Sequence, residues 1–449
     1  MKHCLLALAA GVSLLSMSPA VAQNSSTSPE LNAAIAADYD NKLEALFLDF
    51  HRNPELSYKE TRTAAIIAKE WRAVGVEVTE KVGGTGVVGI MKNGDGPTLL
   101  LRADMDGLPL VEDSGLDYMS TVRQVSIDGT EKPVMHACGH DVHITSLIGT
   151  ARRLSSMKDQ WRGTIVLIAQ PAEERIGGAR LMMEDGLYTR FPKPDFAMAF
   201  HVTSDMATGK LGLGEGITYS SSDSVDITVH GVGAHGASPH RGKDPIVMGA
   251  QIIMNLQTIV SREIAPLKPA VVTVGAFHSG FKHNIISDKA TMQLTVRSDD
   301  AETRKKLLDG IKRIAENVGR MNGLPEDKLP EVKVSHESTP ATYNDVTLTR
   351  RIKKLFVERF GKDVFDERSR EGMGAEDFAY FVAPNTDVPG VYFGVGGTPQ
   401  ADFDAEDNGG PPVPSHHSPF FKVAPRESVT LGTEAMTAAA LDYLAPKSD

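Results

Sequence analysis

The chain has almost no cysteine: Cys4 and Cys138 are the only two in 449 residues. Aromatic residues are sparse at 6%, and Lys and Arg together (47) are outnumbered by Asp and Glu (58), for a formal net charge of −11. Past residue 22, no segment reaches the roughly 18 consecutive apolar residues that a membrane-spanning helix needs. Each shortage excludes something. With so few cysteines, a disulfide-stapled fold is out of reach. An acidic balance without basic tracts argues against nucleic acid as a partner. The missing apolar run argues against a membrane span in the mature chain.

The first residues carry Lys2, an apolar stretch from Cys4 to Leu15, and Ala20-Val21-Ala22 ahead of Gln23. This order of charge, short apolar core and small residues predicts a signal peptide over 1–22, and so a secreted protein, periplasmic or extracellular. A membrane anchor is the competing reading, but the run is too short to span. Lys2 is the only charged residue in that leader, so its removal takes the net charge from −11 to −12. Cys4 leaves with it, which rules out an intramolecular disulfide. A lone Cys138 in an oxidising compartment must be buried or engaged, and metal ligation is one form of engagement.

The remaining length exceeds what one core usually serves, so two or three domains are expected. Amphipathic helices are predicted over Leu31–His51 and Tyr58–Val74. Apolar runs at Gly86–Met91, Thr98–Arg102, Thr164–Ala169 and Phe196–Val202 alternate with helical patterns at Val142–Leu154 and Ala179–Asp185. Such alternation predicts an α/β domain with a mostly parallel sheet flanked by helices. Near Gly216 the pattern changes to strands at Ser224–His230, Val271–Phe277, Lys289–Arg297 and Glu331–Ser335, with helices at Asp244–Ile264 and Ala301–Val318. That block can close as its own α+β sandwich. Helices at Val346–Phe360 and Ser428–Leu444 and a strand at Gly390–Gly394 then resume the first style. The expected division is a catalytic domain in two parts, 30–218 and 336–449, interrupted by an inserted domain over 219–335.

Met135-His136-Ala137-Cys138-Gly139-His140-Asp141 places a thiol and an imidazole two residues apart, where both can converge on one cation as loop turns into helix. Taken alone, the segment fits a half-buried cysteine among unrelated histidines equally well. Glu173 and Glu174 follow the apolar strand at its C-terminal end, where open α/β sheets place their sites. One can bind metal while the other stays free as a base. Alone, such a pair usually marks a solvated surface. His201 also follows an apolar run, and His417 lies in a loop near the C-terminus. Together Cys138, His140, Glu174, His201 and His417 supply mixed S, N and O donors suited to one or two divalent transition-type cations.

At these residues the chain resembles the metal-dependent peptidase and amidohydrolase family M20, in its aminoacylase-like branch of hippurate, N-acyl-amino acid and auxin-conjugate hydrolases. The matching blocks are HRNPELSYKE at 51–60, RADMDGLP at 102–109, HACGHDVH at 136–143, QPAEE at 170–174, FHV at 200–202, GAHGASPH at 233–240, HNIISD at 283–288, GAEDFAYF at 374–381 and HSP at 417–419. The resemblance implies an amidohydrolase acting on N-acyl amino acids, or a carboxypeptidase or dipeptidase acting on small peptides. It implies two divalent ions, zinc or manganese first and cobalt or nickel as options, with Cys138 bridging and His140, Glu174, His201 and His417 completing the shells. Glu173 would be general base and acid, and Asp104 and Asp106 would orient ligands. His235 would supply an oxyanion donor from the inserted domain, often across a dimer, and Asn284 and Arg297 would bind the substrate carboxylate or the oxyanion. A homodimer or higher assembly through the inserted lid domain is implied as well.

Two departures stand out. Gly233-Ala234 replaces the family's paired glycines before His235, and Ser287 replaces a proline after Asn284-Ile285-Ile286, which loosens the loop and restores a donor. The doubled His416-His417 leaves a register choice; His417 is taken because it precedes Ser418-Pro419. Two other functions compete: Cys138 as a nucleophile with His140 or His136 as base, and a periplasmic binding or metal-storage protein. The first leaves Glu174, His201 and His417 without a role, and the second leaves Glu173 without one.

Overall fold

The computed structural model describes residues 29–366, 370 and 372–446, so the predicted signal peptide lies outside the described residues. Helical segments Pro29–Asp38, Tyr39–Leu43 and Glu44–Arg52 follow one another and lead to α1 (Thr61–Ala73). Next come β1 (Glu77–Val82), β2 (Gly86–Asn93), β3 (Thr98–Asp104), α2 (His140–Ser156), β4 (Gly163–Gln170), β5 (Phe196–Ala207) and the short β6 (Leu211–Gly212). The chain then makes β7 (Ser221–His230), α3 (Pro245–Thr258), β8 (Ala270–Ser279), β9 (Lys289–Ser298), α4 (Ala301–Met321) and β10 (Glu331–Thr339). It finishes with α5 (Val346–Phe360), β11 (Gly390–Thr398) and α6 (Pro425–Tyr443).

Seven strands form one sheet in the order β1-β2-β4-β3-β5-β11-β6. The four inner strands β4, β3, β5 and β11 are mutually parallel, while β2 joins β4 and β6 joins β11 antiparallel. The inner strands read as continuous apolar runs because both faces are covered. Leu99, Leu101, Leu167 and Phe200 pack with residues of α1, α2 and α6 on one side, and Leu100, Val166, Ile168 and Ala199 pack with Met182 and Phe378 on the other. The mixed α/β architecture expected from the alternation is the one observed. Strand β1 was not expected: its sequence EVTEKV is charged and its residues are mostly exposed, as suits a sheet edge.

A second, antiparallel sheet has the order β8-β9-β7-β10. Helices α3 and α4 cover one of its faces, closing a separate core around Val225, Ile227, Ile252, Met292, Leu307 and Ile311. All of its strands fall in sequence between β6 and β11, and β10 continues to Thr339, past the expected boundary at 335. The parallel inner strands bring Asp104, Gln170 and His201 to one end of the large sheet. Register confirms it, since Asp104 lies beside Gln170 and His201 beside Gly394.

Candidate metal centre

The centre starts where two strands end. After β3, Asp106 directs its carboxylate back at the loop after β4, accepting the backbone N–H of Glu173 at 3.0 Å and of Glu174 at 3.1 Å, with the Ser57 hydroxyl donating at 2.6 Å. Both glutamates are thereby fixed at the backbone, leaving their side chains free to face the centre.

Cys138 and His140 are brought together by the residue between them. Gly139 has φ +80°, and a Cβ on it would lie 2.3 Å from Val202 Cγ1 on β5. Only glycine meets both demands. His140 begins α2, and Cys138 Sγ reaches His201 Nε2 at 3.4 Å. His417 is fastened by its backbone N–H to the Ala137 carbonyl at 2.9 Å, and its Nε2 stands 3.4 Å from Glu174 Oε2. Ligand atoms of Cys138, His140 and His201 all lie within 4.8 Å of one another, as do those of Cys138, Glu174 and His417.

Hydrogen bonds on the far side of each ring decide what it presents. His140 Nδ1 donates to the Asp106 carbonyl at 2.8 Å, and His201 Nδ1 donates to the Val202 carbonyl at 2.6 Å, so each turns Nε2 to the centre. His140 Nε2 and Glu174 Oε1 are buried without any hydrogen-bond partner. Buried polar atoms left this way are costly and need an explanation. A divalent cation fits: the donor set of thiol, imidazole and carboxylate is the one such ions accept.

The electrostatics make the same demand. Burial, then Glu174 and Glu173, hold the Cys138 thiol well above its ordinary range. Burial, then Glu376 and Glu174, do the same to Glu173, and burial pushes Glu174 up to about 8. Burial alone would lower His140, but Asp104 and Asp106 outweigh it and push the ring up to about 10. All these groups gather protons to offset crowded negative charge, and a bound cation would displace those protons.

The sequence profile of Peptidase family M20/M25/M40 matches residues 100–408, more than half of the chain. The chain belongs to peptidase family M20. Hippurate hydrolase of Campylobacter jejuni is 38% identical over 346 residues, covering 77% of this chain and 86% of that one. Thermostable carboxypeptidase 2 of Saccharolobus solfataricus is 39% identical over 350 residues, covering 77% and 83%. The crystal structure of Bacillus subtilis YXEP protein, described as a dinuclear metal binding peptidase from the M20 family, matches with a TM-score of 0.71 at 27% identity, covering 92% and 99%.

Other expected residues of this M20 chain lie elsewhere. His235 pairs with Ile285 across two short strands, and Asn284 sits beside it, its carbonyl accepting Gly236 N–H at 2.8 Å. Both are exposed. Arg297 lies on β9, its Nε donating to Thr295 Oγ1 at 3.2 Å. Among the described residues, no hydrogen bond or ion pair joins these three to the metal-centre side chains. The register choice at 416–417 has a geometric basis: His416 Nε2 accepts the Ser204 N–H at 3.1 Å and is occupied, while His417 faces Glu174.

Several participants went unassigned in the sequence. Arg102 is fully buried and donates to Asp104 at 2.7 Å and Glu376 at 2.6 Å, with Asp377 at 3.3 Å. His143 donates from Nδ1 to Asp104 at 2.5 Å and accepts Val202 N–H at 2.8 Å, so it is neutral, and burial holds it down at about 3. His51 donates to both Asp141 at 2.7 Å and Glu112 at 3.0 Å. Their motifs carried the family resemblance, but only contact reveals their roles.

Proposed function

We propose that this M20 protein hydrolyses the amide bond of N-acyl amino acids or related small conjugates, releasing a carboxylic acid and an amino acid. One observation carries the reading: Cys138, His140 and His201 form one group of donors and Cys138, Glu174 and His417 a second, the two sharing Cys138 beside Glu173, with His140 buried and the His417 ring at the exposed rim. In this reading Cys138, His140, Glu174, His201 and His417 would hold two divalent ions, zinc or manganese fitting first and cobalt or nickel also. Such ions supply Lewis acidity toward water and the amide carbonyl. Glu173, whose Oε2 lies 3.9 Å from His140 Nε2, takes the water proton on its carboxylate and returns it to the departing nitrogen. Asp104 steadies His143 and Asp106 steadies both glutamates and His140.

His235, Asn284 and Arg297 complete the reading from the inserted unit, His235 as oxyanion donor and the others on the substrate carboxylate or the oxyanion. Among the described residues they make no hydrogen bond or ion pair with the centre, and in this reading they reach the substrate by movement of that unit or from a second copy, so a homodimer or higher assembly belongs to the proposal. So does export to the periplasm by the leader over 1–22. Among the described residues no helix is long and apolar enough to cross a membrane.

A cleft of about 720 Å³ opens further along β5, which also carries His201, and is lined by Asp205, Met206, Ile217, Tyr219, Arg370 and Phe393 among others. Its size leaves room for a bulky acyl group, as the name of the Campylobacter relative also suggests. Carboxypeptidase or dipeptidase action on small peptides is the second reading, favoured by the name of the Saccharolobus relative. A cysteine-nucleophile mechanism is disfavoured because burial, and then the carboxylates of Glu174 and Glu173, raise the Cys138 thiol, where a reactive thiolate needs positive charge nearby. A binding-only role leaves Glu173 unexplained.

The deciding experiment is a hydrolysis screen of the metal-reconstituted protein against N-acetyl, N-benzoyl and longer N-acyl amino acids, with small peptides alongside. Hydrolysis that a chelator abolishes is expected. Turnover that survives complete metal removal, or none on any of these amides, would overturn the reading.

A further inference from the structure

Three successive backbone amides donate to just two buried carboxylates. Ala172 N–H reaches Glu60 Oε1 at 2.8 Å, and Glu173 and Glu174 N–H reach Asp106. Consecutive amides converging like this form a concavity that usually receives an anion from solution. Here the chain fills it with its own side chains. Ala172 has φ +50°, a left-handed value that a non-glycine residue adopts only at a cost. Something must hold it there.

Glu60 is placed to do so. It is 0% exposed, its Oε1 also accepts the N–H of Tyr58 at 2.9 Å, and its Oε2 accepts the Thr85 hydroxyl at 2.5 Å. Tyr58 is itself left-handed, at φ +67°. Among the described residues Glu60 has no cationic partner, and it makes no hydrogen bond to any metal-centre side chain. A dry carboxylate without a counter-ion is an expensive way to tie down a turn. Hydrogen bonds to two strained backbone segments give it a reason to be there.

The geometry points to Glu60 as a positioning residue that, through Ala172, sets where Glu173 presents its carboxylate to the metal centre. The inference rests on the proposed role of Glu173 as proton carrier. Glu60 touches neither substrate nor cation, so its loss acts on the chemical step more than on substrate binding. What it contributes is an acceptor in the right place. Glutamine can do the same, its carbonyl oxygen taking the Ala172 N–H and its amide donating to Thr85.

The test compares Glu60→Leu, Glu60→Gln and Thr85→Val in the full-length protein loaded with cobalt(II), assayed on benzoylglycine, with bound cobalt counted and its visible spectrum recorded. Glu60→Leu is expected to lower kcat by about 10- to 100-fold while KM moves less than about three-fold and cobalt content stays at the wild-type value. Glu60→Gln is expected to return kcat to within about three-fold of wild type, as rescue of the acceptor requires. If Glu60→Leu does not fold, Thr85→Val reads the same contact from its other end, with a smaller loss in kcat. A glutamine variant as impaired as leucine, or a leucine variant with unchanged kcat, overturns the inference. Should the wild type hydrolyse no acyl amino acid, the functional reading fails, and the spectrum still judges Glu60. The cobalt bands must then change in the leucine variant, because Glu174 lies two residues beyond Ala172, and return in the glutamine variant; unchanged bands in the leucine variant overturn the inference.

Discussion

Arg102 and Glu376, 274 positions apart in the chain, meet at 2.6 Å in the buried interior, where an oxygen of Glu376 lies within 4.8 Å of one of Glu173. This guanidinium is the buried cation serving Asp104, Glu376 and Asp377 together. Replacing it by an apolar residue takes the guanidinium away from three buried carboxylates, which keep only neutral donors or histidine rings. Arg102→Met is expected to cost about 3–5 kcal/mol of stability, read as a lowered melting temperature. An unchanged melt would mean that the network holds without its cation.

Glu173→Gln keeps shape and removes the ability to take a proton. Turnover should fall by about 10²- to 10⁴-fold while elemental analysis still finds the wild-type metal content. Normal turnover in this variant would remove Glu173 from its proposed role.

The adjacent histidines should behave differently. His417→Ala is expected to weaken metal binding at least about ten-fold in a chelator competition, because its ring faces Glu174 at the centre. His416→Ala should instead cost about 1–3 kcal/mol by orphaning the Ser204 N–H. Equal metal loss in both would contradict the register.

His51 makes stability pH-dependent. Burial would lower its pKa, but hydrogen bonds to Asp141 and Glu112 outweigh burial and push it from 6.5 up to about 9. The folded state therefore binds this proton more tightly than the unfolded chain does. The stabilisation is complete below about pH 6.5 and is lost as pH rises through about 9, amounting to ~3 kcal/mol at most. Denaturant melts from pH 6 to 10 should show this decline in the wild type, and a smaller one in His51→Gln.

Gly214 lines the cleft that Thr203 and Met206 of β5 also line, and a Cβ there would meet nothing within 4 Å. Gly214→Leu should fold normally and fill space. The expected result is a drop of about ten-fold or more in kcat/KM for N-benzoyl amino acids with N-acetyl substrates little affected. Parallel losses on both would place the acyl group elsewhere.

Much of this protein is readable in one dimension. Strands buried on both faces are continuous apolar runs, so β3, β4, β5 and β11 were found within a few residues at their starts. Their ends were harder: β5 runs on to Ala207, where Thr203 and Asp205 interrupt the apolar pattern. Edge strands such as β1 need no apolar face and leave little trace. Donor chemistry at Cys138, His140, Glu174, His201 and His417 was also legible, since thiols, imidazoles and carboxylates at strand ends are few. Glu60 and Arg102 were not, because an isolated charged residue looks the same whether it is solvated or buried.

Residue order alone determined which chemical groups are available, which faces are apolar, and that Gly139 can adopt a backbone conformation that other residues avoid. Tertiary structure alone decided which imidazole nitrogen points inward, which of two neighbouring histidines accepts the Ser204 N–H and which faces Glu174, and which carboxylates share a single guanidinium. These are matters of a few tenths of an ångström between groups hundreds of positions apart. Hydrogen bonds and buried charges change sharply over such distances, and residue spacing along the chain carries no record of them.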